Sequence, residues 1–231
     1  MNTLFTSTDL NRYLSHGEDE NMAIIVDGII GAGKTTVAQL ISDKCHIPFF
    51  EELQTDSANA LTQRMLDRFY ADQDRWSAII QVMFLNQRFR DLKAIEASGK
   101  AAILDRSIYG DEIFAKTILE RGQMSPDEFR IYQELLHNML MHIQTPTLLI
   151  YLDVTVDTAM ERIRQRNRST EANLIPRDYM VDLHRNYEEW YEAYDLSRKV
   201  RFDFNRYAFD DLGEIQKDIQ DDLLTIVKSV L

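Results

Sequence analysis

The stretch VDGIIGAGKTTVAQL, Val26 to Leu40, places Gly28, Gly31 and Gly33 within six positions of a 231-residue chain that has only eight glycines. Ahead of them the apolar run from Met22 to Val26 closes on Asp27, as a short buried strand does. Behind them Val37, Leu40 and Ile41 fall at helical spacing. The glycines therefore mark a strand-to-helix turn with the spacing G-x-x-x-x-G-K-[ST], filled by Gly28, Gly33, Lys34 and Thr35. The residue types suit phosphate: glycines let backbone N–H groups turn inward, the helix N-terminus adds positive potential, Lys34 supplies a mobile charge, and Thr35 offers a hydroxyl to Mg²⁺. A plain glycine-rich turn is the alternative, and the strand before it and helix after it argue against that.

Length and the absence of repeats favour one domain over residues 22–231, preceded by a polar extension over residues 1–21. The four prolines, at positions 48, 126, 146 and 176, are too scattered to mark a linker. No apolar run approaches the ~18–20 residues of a membrane span. The N-terminus has no basic region followed by an apolar core, and Cys45 is the one cysteine, so a reducing cytoplasm is expected. Cys45-His46 has no companions at metal-ligand spacing and reads as a packing or surface pair. A net charge of −12 disfavours a track for nucleic acid, because a long polyanion is repelled. A small anion needs only a local positive pocket, and Arg162, Arg164, Arg166 and Arg168 are concentrated in ERIRQRNRSTE. On a helix, Arg162 and Arg166 share a face.

Strand-like and helical segments alternate. A second strand is expected over Pro48–Glu52, a third over Ala101–Asp105, a fourth over Thr147–Asp153 and a fifth over Val200–Phe204. Helical patterning fills Thr55 to about Glu96, with a break near Ala71–Asp74 and a stop at Gly99. Ser125-Pro-Asp-Glu128 is a capping box that opens a helix to about Ile143. Further helices are expected from Val156, from Pro176 to about Ser197, and from Leu212 to Val230. This alternation predicts an α/β fold, a parallel sheet covered on both faces, with ligands at the carboxyl ends of its strands. Gly28–Thr35, Glu51, Glu52, Asp105, Arg106 and the arginine segment then fall along one edge. A phosphate cradle, acids at strand ends and a basic lid suit phosphoryl transfer, in which positioning and charge stabilisation do most of the catalysis. Asp105 can hold Mg²⁺ with Thr35, and a carboxylate after the second strand can accept the proton of an attacking hydroxyl.

From about Met22 to about Tyr194 the chain resembles the deoxyribonucleoside kinases, in particular bacterial deoxyadenosine and deoxyguanosine kinases. Five motifs in order carry the resemblance: the glycine loop, FFEEL, FYADQDRWSAIIQ from Phe69, DRSIYGD from Asp105, and RIRQRNRSTEANLIPRDYM from Arg162. The resemblance implies a P-loop kinase fold with a five-stranded parallel sheet and an arginine-rich lid. It implies transfer of the γ-phosphate of ATP to the 5′-hydroxyl of a deoxynucleoside, with Mg²⁺, by a homodimer. ATP is then held by Gly28, Gly31, Ala32, Gly33, Lys34, Thr35 and Thr36, and by the lid arginines Arg162, Arg166 and Arg168. Glu52 matches the general base, Arg106 the arginine that steadies it and the transferred group, and Asp105 the acid of the (Glu/Asp)-Arg-Ser motif. Tyr70 and Glu171 match the pair on the 3′-hydroxyl, Gln81 the amide that reads the base edge, and Arg88 and Asp111 its charged companions.

The family often has Glu-Pro after the second strand, whereas Glu51-Glu52-Leu53 stands here. Ile80 and Ala115 stand where some members place aromatic rings, which opens room and tilts the expectation toward purines, unless Phe114 refills the space. A deoxycytidine preference, a thymidylate-kinase-like monophosphate kinase and a nucleotide-dependent switch remain alternatives. Tyr70 and Glu171 suit an uncharged sugar rather than a second phosphate, and a guanine switch would carry an Asn-Lys-x-Asp signature, which is absent. Trp76 and Trp190 read as packing residues, and Ile113, Phe114, Ile118 and Leu119 as an apolar patch for dimerisation.

Overall fold

In the computed structural model, which describes residues 23–50, 57–165, 175–205 and 214–231, the run ahead of the glycines is β1, Ala23–Asp27. All five of its residues are buried. It pairs in parallel with β3, Ala102–Asp105, on one side and with β4, Leu148–Asp153, on the other. β2, Phe49–Phe50, and β5, Arg198–Asp203, complete a parallel sheet of order β2-β3-β1-β4-β5. Ile24, Ile25, Ile103, Leu149 and Ile150 are inaccessible to solvent, as strands covered on both faces require. The five-stranded parallel α/β sheet expected from the sequence is present.

Eight α-helices are found among the described residues: α1 (Lys34–Cys45), α2 (Ser57–Ala71), α3 (Gln73–Ser98), α4 (Asp111–Glu120), α5 (Pro126–Leu140), α6 (Val156–Gln165), α7 (Arg177–Ala193) and α8 (Lys217–Lys228). Local chemistry sets their ends. Asp72 breaks α2 from α3 and accepts the Arg75 N–H at 3.2 Å, and Gly99 ends α3 in the left-handed region. At α5, Ser125 and Glu128 cap one another's backbone as the sequence predicts. Several boundaries move: the fifth strand is Arg198–Asp203 rather than Val200–Phe204, and the helix after Ser125 ends at Leu140 rather than about Ile143. The helix opened by Pro176 stops at Ala193, short of Ser197, because the chain from Arg198 is taken up by pairing with β4. Among the described residues the last helix spans Lys217–Lys228; Leu212, where it is expected to begin, lies outside them.

The apolar patch expected to serve a dimer is instead core. Ile113, Phe114 and Ile118 are buried and Leu119 packs against the same cluster, because α4 runs between α3, α5 and α7. Among the described residues the exposed apolar side chains of the helices include Ile79 and Val82 on α3 and Ile131 on α5. Trp190 is buried, while Trp76 lies under the guanidinium groups of Arg68 and Arg75. Cys45 is half-buried at the end of α1. No described helix is long and apolar enough to cross a membrane.

The turn between β1 and α1 depends on its glycines. Gly31 has φ of 82°, and a Cβ on it would lie 2.6 Å from the Ala159 carbonyl oxygen. We therefore expect Gly31→Ala to lose at least about 1–2 kcal/mol from the left-handed backbone alone, with a further loss from the clash on α6. Urea unfolding followed by circular dichroism measures it, and wild-type stability would contradict this turn geometry.

Candidate active site

Four strands, β1, β3, β4 and β5, end in aspartate at the same edge of the sheet: Asp27, Asp105, Asp153 and Asp203. Here the glycine turn delivers the N-terminus of α1, capped by Gly33 with no side-chain partner, so its amides are left for an anion. The buried Lys34 folds over its own loop and donates to the carbonyls of Gly28 and Ile29 at 3.0 Å each. Thr35 Oγ1 donates to Asp105 Oδ2 at 2.5 Å, bringing two hard oxygen donors together. Asp105 Oδ1 is buried and receives no hydrogen bond from the described residues. Both features suit a small divalent cation, which takes oxygen ligands.

Arg106 follows directly. Its N–H donates to Val26 O at 2.9 Å, extending the β1–β3 ladder by one residue, and its φ of 72° then turns the chain out of the sheet. A non-glycine residue in that region carries strain, which is common where a side chain has to be aimed. The guanidinium lies 4.2 Å from the centre of the Phe114 ring.

A cavity of about 220 Å³ opens beside these groups. Gly31, Gly33, Lys34 and Thr35 line it together with Asp105 and Arg106, and the same cavity takes in Tyr70, Ile80, Gln81, Arg88, Asp111 and Phe114. Arg88 Nε lies 2.7 Å from Asp111 Oδ1, and both side chains are at most 10% exposed. The nearby Asp91 lies 3.5 Å from Arg90. Ala115 is buried and does not line the cavity, whereas Phe114 does, fixed edge-on to Tyr187 with ring centres 6.0 Å apart.

Arg162 reaches back to the loop. It donates to Ala32 O at 3.0 Å, and to Phe204 O and Asn205 O at 2.7 and 3.2 Å, so burial pushes its pKa down. Gly28, Ala32 and Thr36 lie in the same turn and the first residues of α1. Glu52, Arg166, Arg168 and Glu171 lie outside the described residues, as does Glu51.

Sequence reasoning missed part of the wall. Arg121 lines the cavity, held by Asp182 and Asp178 at 2.8 and 2.9 Å. These bonds, Asp178 foremost, hold its pKa above the usual arginine range. Gln73 and Gln123 line it too and are hydrogen-bonded to each other, as does Tyr179, whose hydroxyl pKa is raised by burial. A signal was available: Asp111, Phe114, Ile118 and Arg121 recur at one helical face. Elsewhere, Asp153, His184 and Glu188 bring ligand atoms within 4.8 Å of one another. Arg201 bonds both of those carboxylates, at 3.2 and 2.8 Å, and so offsets part of their charge within the fold.

A parallel sheet whose carboxyl edge carries a P-loop, an adjoining Thr–Asp oxygen pair and an arginine beside a cavity fits a nucleotide-dependent phosphotransferase. The chain belongs to the deoxynucleoside kinase family, whose sequence model matches residues 24–228. It is 32% identical over 216 residues to a deoxyguanosine kinase of Lactobacillus johnsonii, covering 90% of this chain and 93% of that one. It is 32% identical over 195 residues to a deoxyadenosine/deoxycytidine kinase of Bacillus subtilis, covering 83% and 87%. A solved deoxyadenosine kinase from M. mycoides with the products dCMP and dCDP bound superposes with a TM-score of 0.72 at 26% identity, over 91% of this chain and all of that one. The same enzyme with dATP bound also gives 0.72.

A buried ion pair broken on one side leaves a stranded charge, which costs about 3–5 kcal/mol. Asp111→Ala is expected to destabilise the protein on that scale, and the double variant Arg88→Met with Asp111→Leu to be clearly more stable than it. Denaturant unfolding of both decides. Equal stabilities would mean that the Arg88 charge is satisfied without Asp111.

Proposed function

We propose that this protein transfers the γ-phosphate of ATP to the 5′-hydroxyl of a purine deoxynucleoside. The observation that carries the reading is the sharing of one cavity by the phosphate loop and the buried Arg88–Asp111 pair. The donor's phosphates lie on the Gly28–Thr36 turn under Lys34, with Arg162, Arg166 and Arg168 as the lid. The acceptor's base lies against Gln81, Arg88 and Asp111, and its 3′-hydroxyl against Tyr70 and Glu171. Glu52 takes the 5′-hydroxyl proton as the new O5′–P bond forms and the bond from the γ-phosphorus to ADP breaks. Arg106 steadies Glu52 and the charge on the transferred group. Thr35 and Asp105 hold Mg²⁺, which when bound neutralises phosphate charge.

A base edge that offers both donors and acceptors satisfies an Arg–Asp pair, and a site built to hydrogen-bond a group rejects analogues lacking it. Thymine has neither an exocyclic amino group nor an N7. Phe114 rather than Ala115 stands at the wall with Ile80, so the room expected from Ala115 does not support the purine choice; relatives named deoxyguanosine and deoxyadenosine kinases do. The kinase domain spans residues 22–231 after a polar extension and works in the cytoplasm as a homodimer, with the exposed Ile79, Val82 and Ile131 suited to a helix-to-helix contact.

Turnover on deoxyadenosine, deoxyguanosine, deoxycytidine and thymidine, run beside their monophosphates, tests the reading. We expect the two purines to give the highest kcat/KM. A thymidine preference would overturn the pocket assignment, a deoxycytidine preference only the purine choice, and phosphorylation confined to monophosphates the reaction itself. Glu52→Gln should lower kcat by about 10²-fold or more, the scale of general-base catalysis, with little change in nucleoside affinity. If Glu51→Gln gives the large loss instead, the base is one residue earlier.

A further inference from the structure

Asp27, the last residue of β1, is fully buried directly beneath the glycine turn. Its Oδ1 accepts the Gly28 N–H at 2.8 Å and the Tyr187 hydroxyl at 3.0 Å. Its Oδ2 receives no hydrogen bond from the described residues and faces Gly110, where a Cβ would stand 2.6 Å away. The missing side chain at Gly110 is thus what gives the carboxylate its place. Both hydrogen bonds are donated to Asp27 Oδ1, the role a carboxylate oxygen takes.

Burying an anion is costly unless cations offset it. Arg106 and Lys34 offset part of that cost here: burial raises the Asp27 pKa, and both cations act electrostatically against the rise. Both also line the cavity beside the phosphate loop, and each is buried. Two buried like charges lining one cavity repel each other, and an anion that acts on both lowers that cost. Asp27 is such an anion, placed beneath the glycine turn. Its neutral contacts tie the same point to the rest of the pocket. Gly110 precedes Asp111 of the buried ion pair, and Tyr187 braces the Phe114 ring on which Arg106 lies.

We propose that Asp27 is a positioning residue for phosphoryl transfer: a buried anion that orients the first amide of the phosphate loop and holds Lys34 and Arg106 together at the cavity. The inference rests on the kinase reading above. It touches no substrate itself, so its loss shows in turnover rather than in nucleoside binding.

Asp27→Asn keeps the shape and one acceptor oxygen but removes the charge. Misplaced catalytic groups cost on the order of tenfold to a hundredfold in rate, so D27N is expected to lose kcat on that scale with KM for the deoxynucleoside within about threefold and with its far-UV circular dichroism retained. Tyr187→Phe keeps the charge and removes one hydrogen bond; its kcat is expected to fall clearly less than that of D27N, although its melting temperature drops. Wild-type transfer is measured in the same series, so its absence would overturn the kinase reading, whereas a D27N protein with wild-type kcat would overturn this inference alone. Equal losses in D27N and Y187F would also overturn it, by making Asp27 a structural hydrogen-bond acceptor. Should D27N not fold, Asp27→Glu carries the test: the charge is kept, and a folded enzyme with kcat within about tenfold of wild type is expected. Loss of folding or activity in D27E as well would overturn the role of charge.

Discussion

Pairing β1 on both sides, under helices on both faces, leaves the molecule one place for polar chemistry. Every side chain along Ala23–Asp27 is sealed, so any group that must meet a ligand has to come after the strand ends. The neighbours obey the same constraint, and four of the five strands end in aspartate. Carboxylates gathered at one edge attract cations. Lys34 and Arg106 answer Asp27, and Arg201 answers Asp153. A chain of net charge −12 can in this way make a site for a polyanionic nucleotide. Charges farther away than about 8 Å are largely screened at physiological salt, so the local arrangement decides.

The turn after β3 shows how backbone geometry converts that edge into a site. Asp105 is still within the strand and meets Thr35 from the neighbouring turn, while Arg106 keeps the ladder bond to Val26 and leaves the sheet at positive φ. An ordinary extended residue there would continue along the sheet edge. The left-handed conformation instead sets the guanidinium over Phe114 and beside the cavity. The strain is borne by a residue with hydrogen bonding on its backbone and a ring under its side chain.

The glycine turn and the sheet were legible in the sequence because their signals are local. Spacing from Gly28 to Thr35 is fixed by the backbone path around a phosphate, and the capping box at Ser125 or the stop at Gly99 is fixed by the next few residues. The cavity wall is a different matter. No spacing rule brings Arg88 to Asp111; only the register of a known family joined them, and the structure puts them 2.7 Å apart. Arg121, Gln73 and Gln123 went unseen because the family motifs quoted for this chain do not include Arg121 or Gln123, and Gln73 lay inside one without an assigned role. Asp27 looked like the polar end of a strand, since burial of a carboxylate leaves no trace in composition. The proposed dimer patch failed for a related reason: apolar residues at helical spacing on α4 look alike whether the helix is covered by its own chain or by another, and here its own chain covers it.

The Arg88–Asp111 pair shows why the two halves of the cavity belong together. A buried ion pair is seldom worth its desolvation on stability grounds alone. Guanidinium has five N–H donors and a carboxylate about four acceptor positions, more than a single pair can use. Under the proposed reading a base edge takes up part of that capacity, and the pair's opposite signs let one site meet donors and acceptors alike. The acidic member stands next to Gly110, whose bare backbone lies against Asp27, and Asp27 in turn accepts the first amide of the phosphate loop. Under the proposed reading, the distance between acceptor base and donor phosphate is then set by a short run of packed groups, Asp111, Gly110, Asp27 and Gly28. In a reaction whose rate depends on alignment, that rigidity favours transfer between the two substrates.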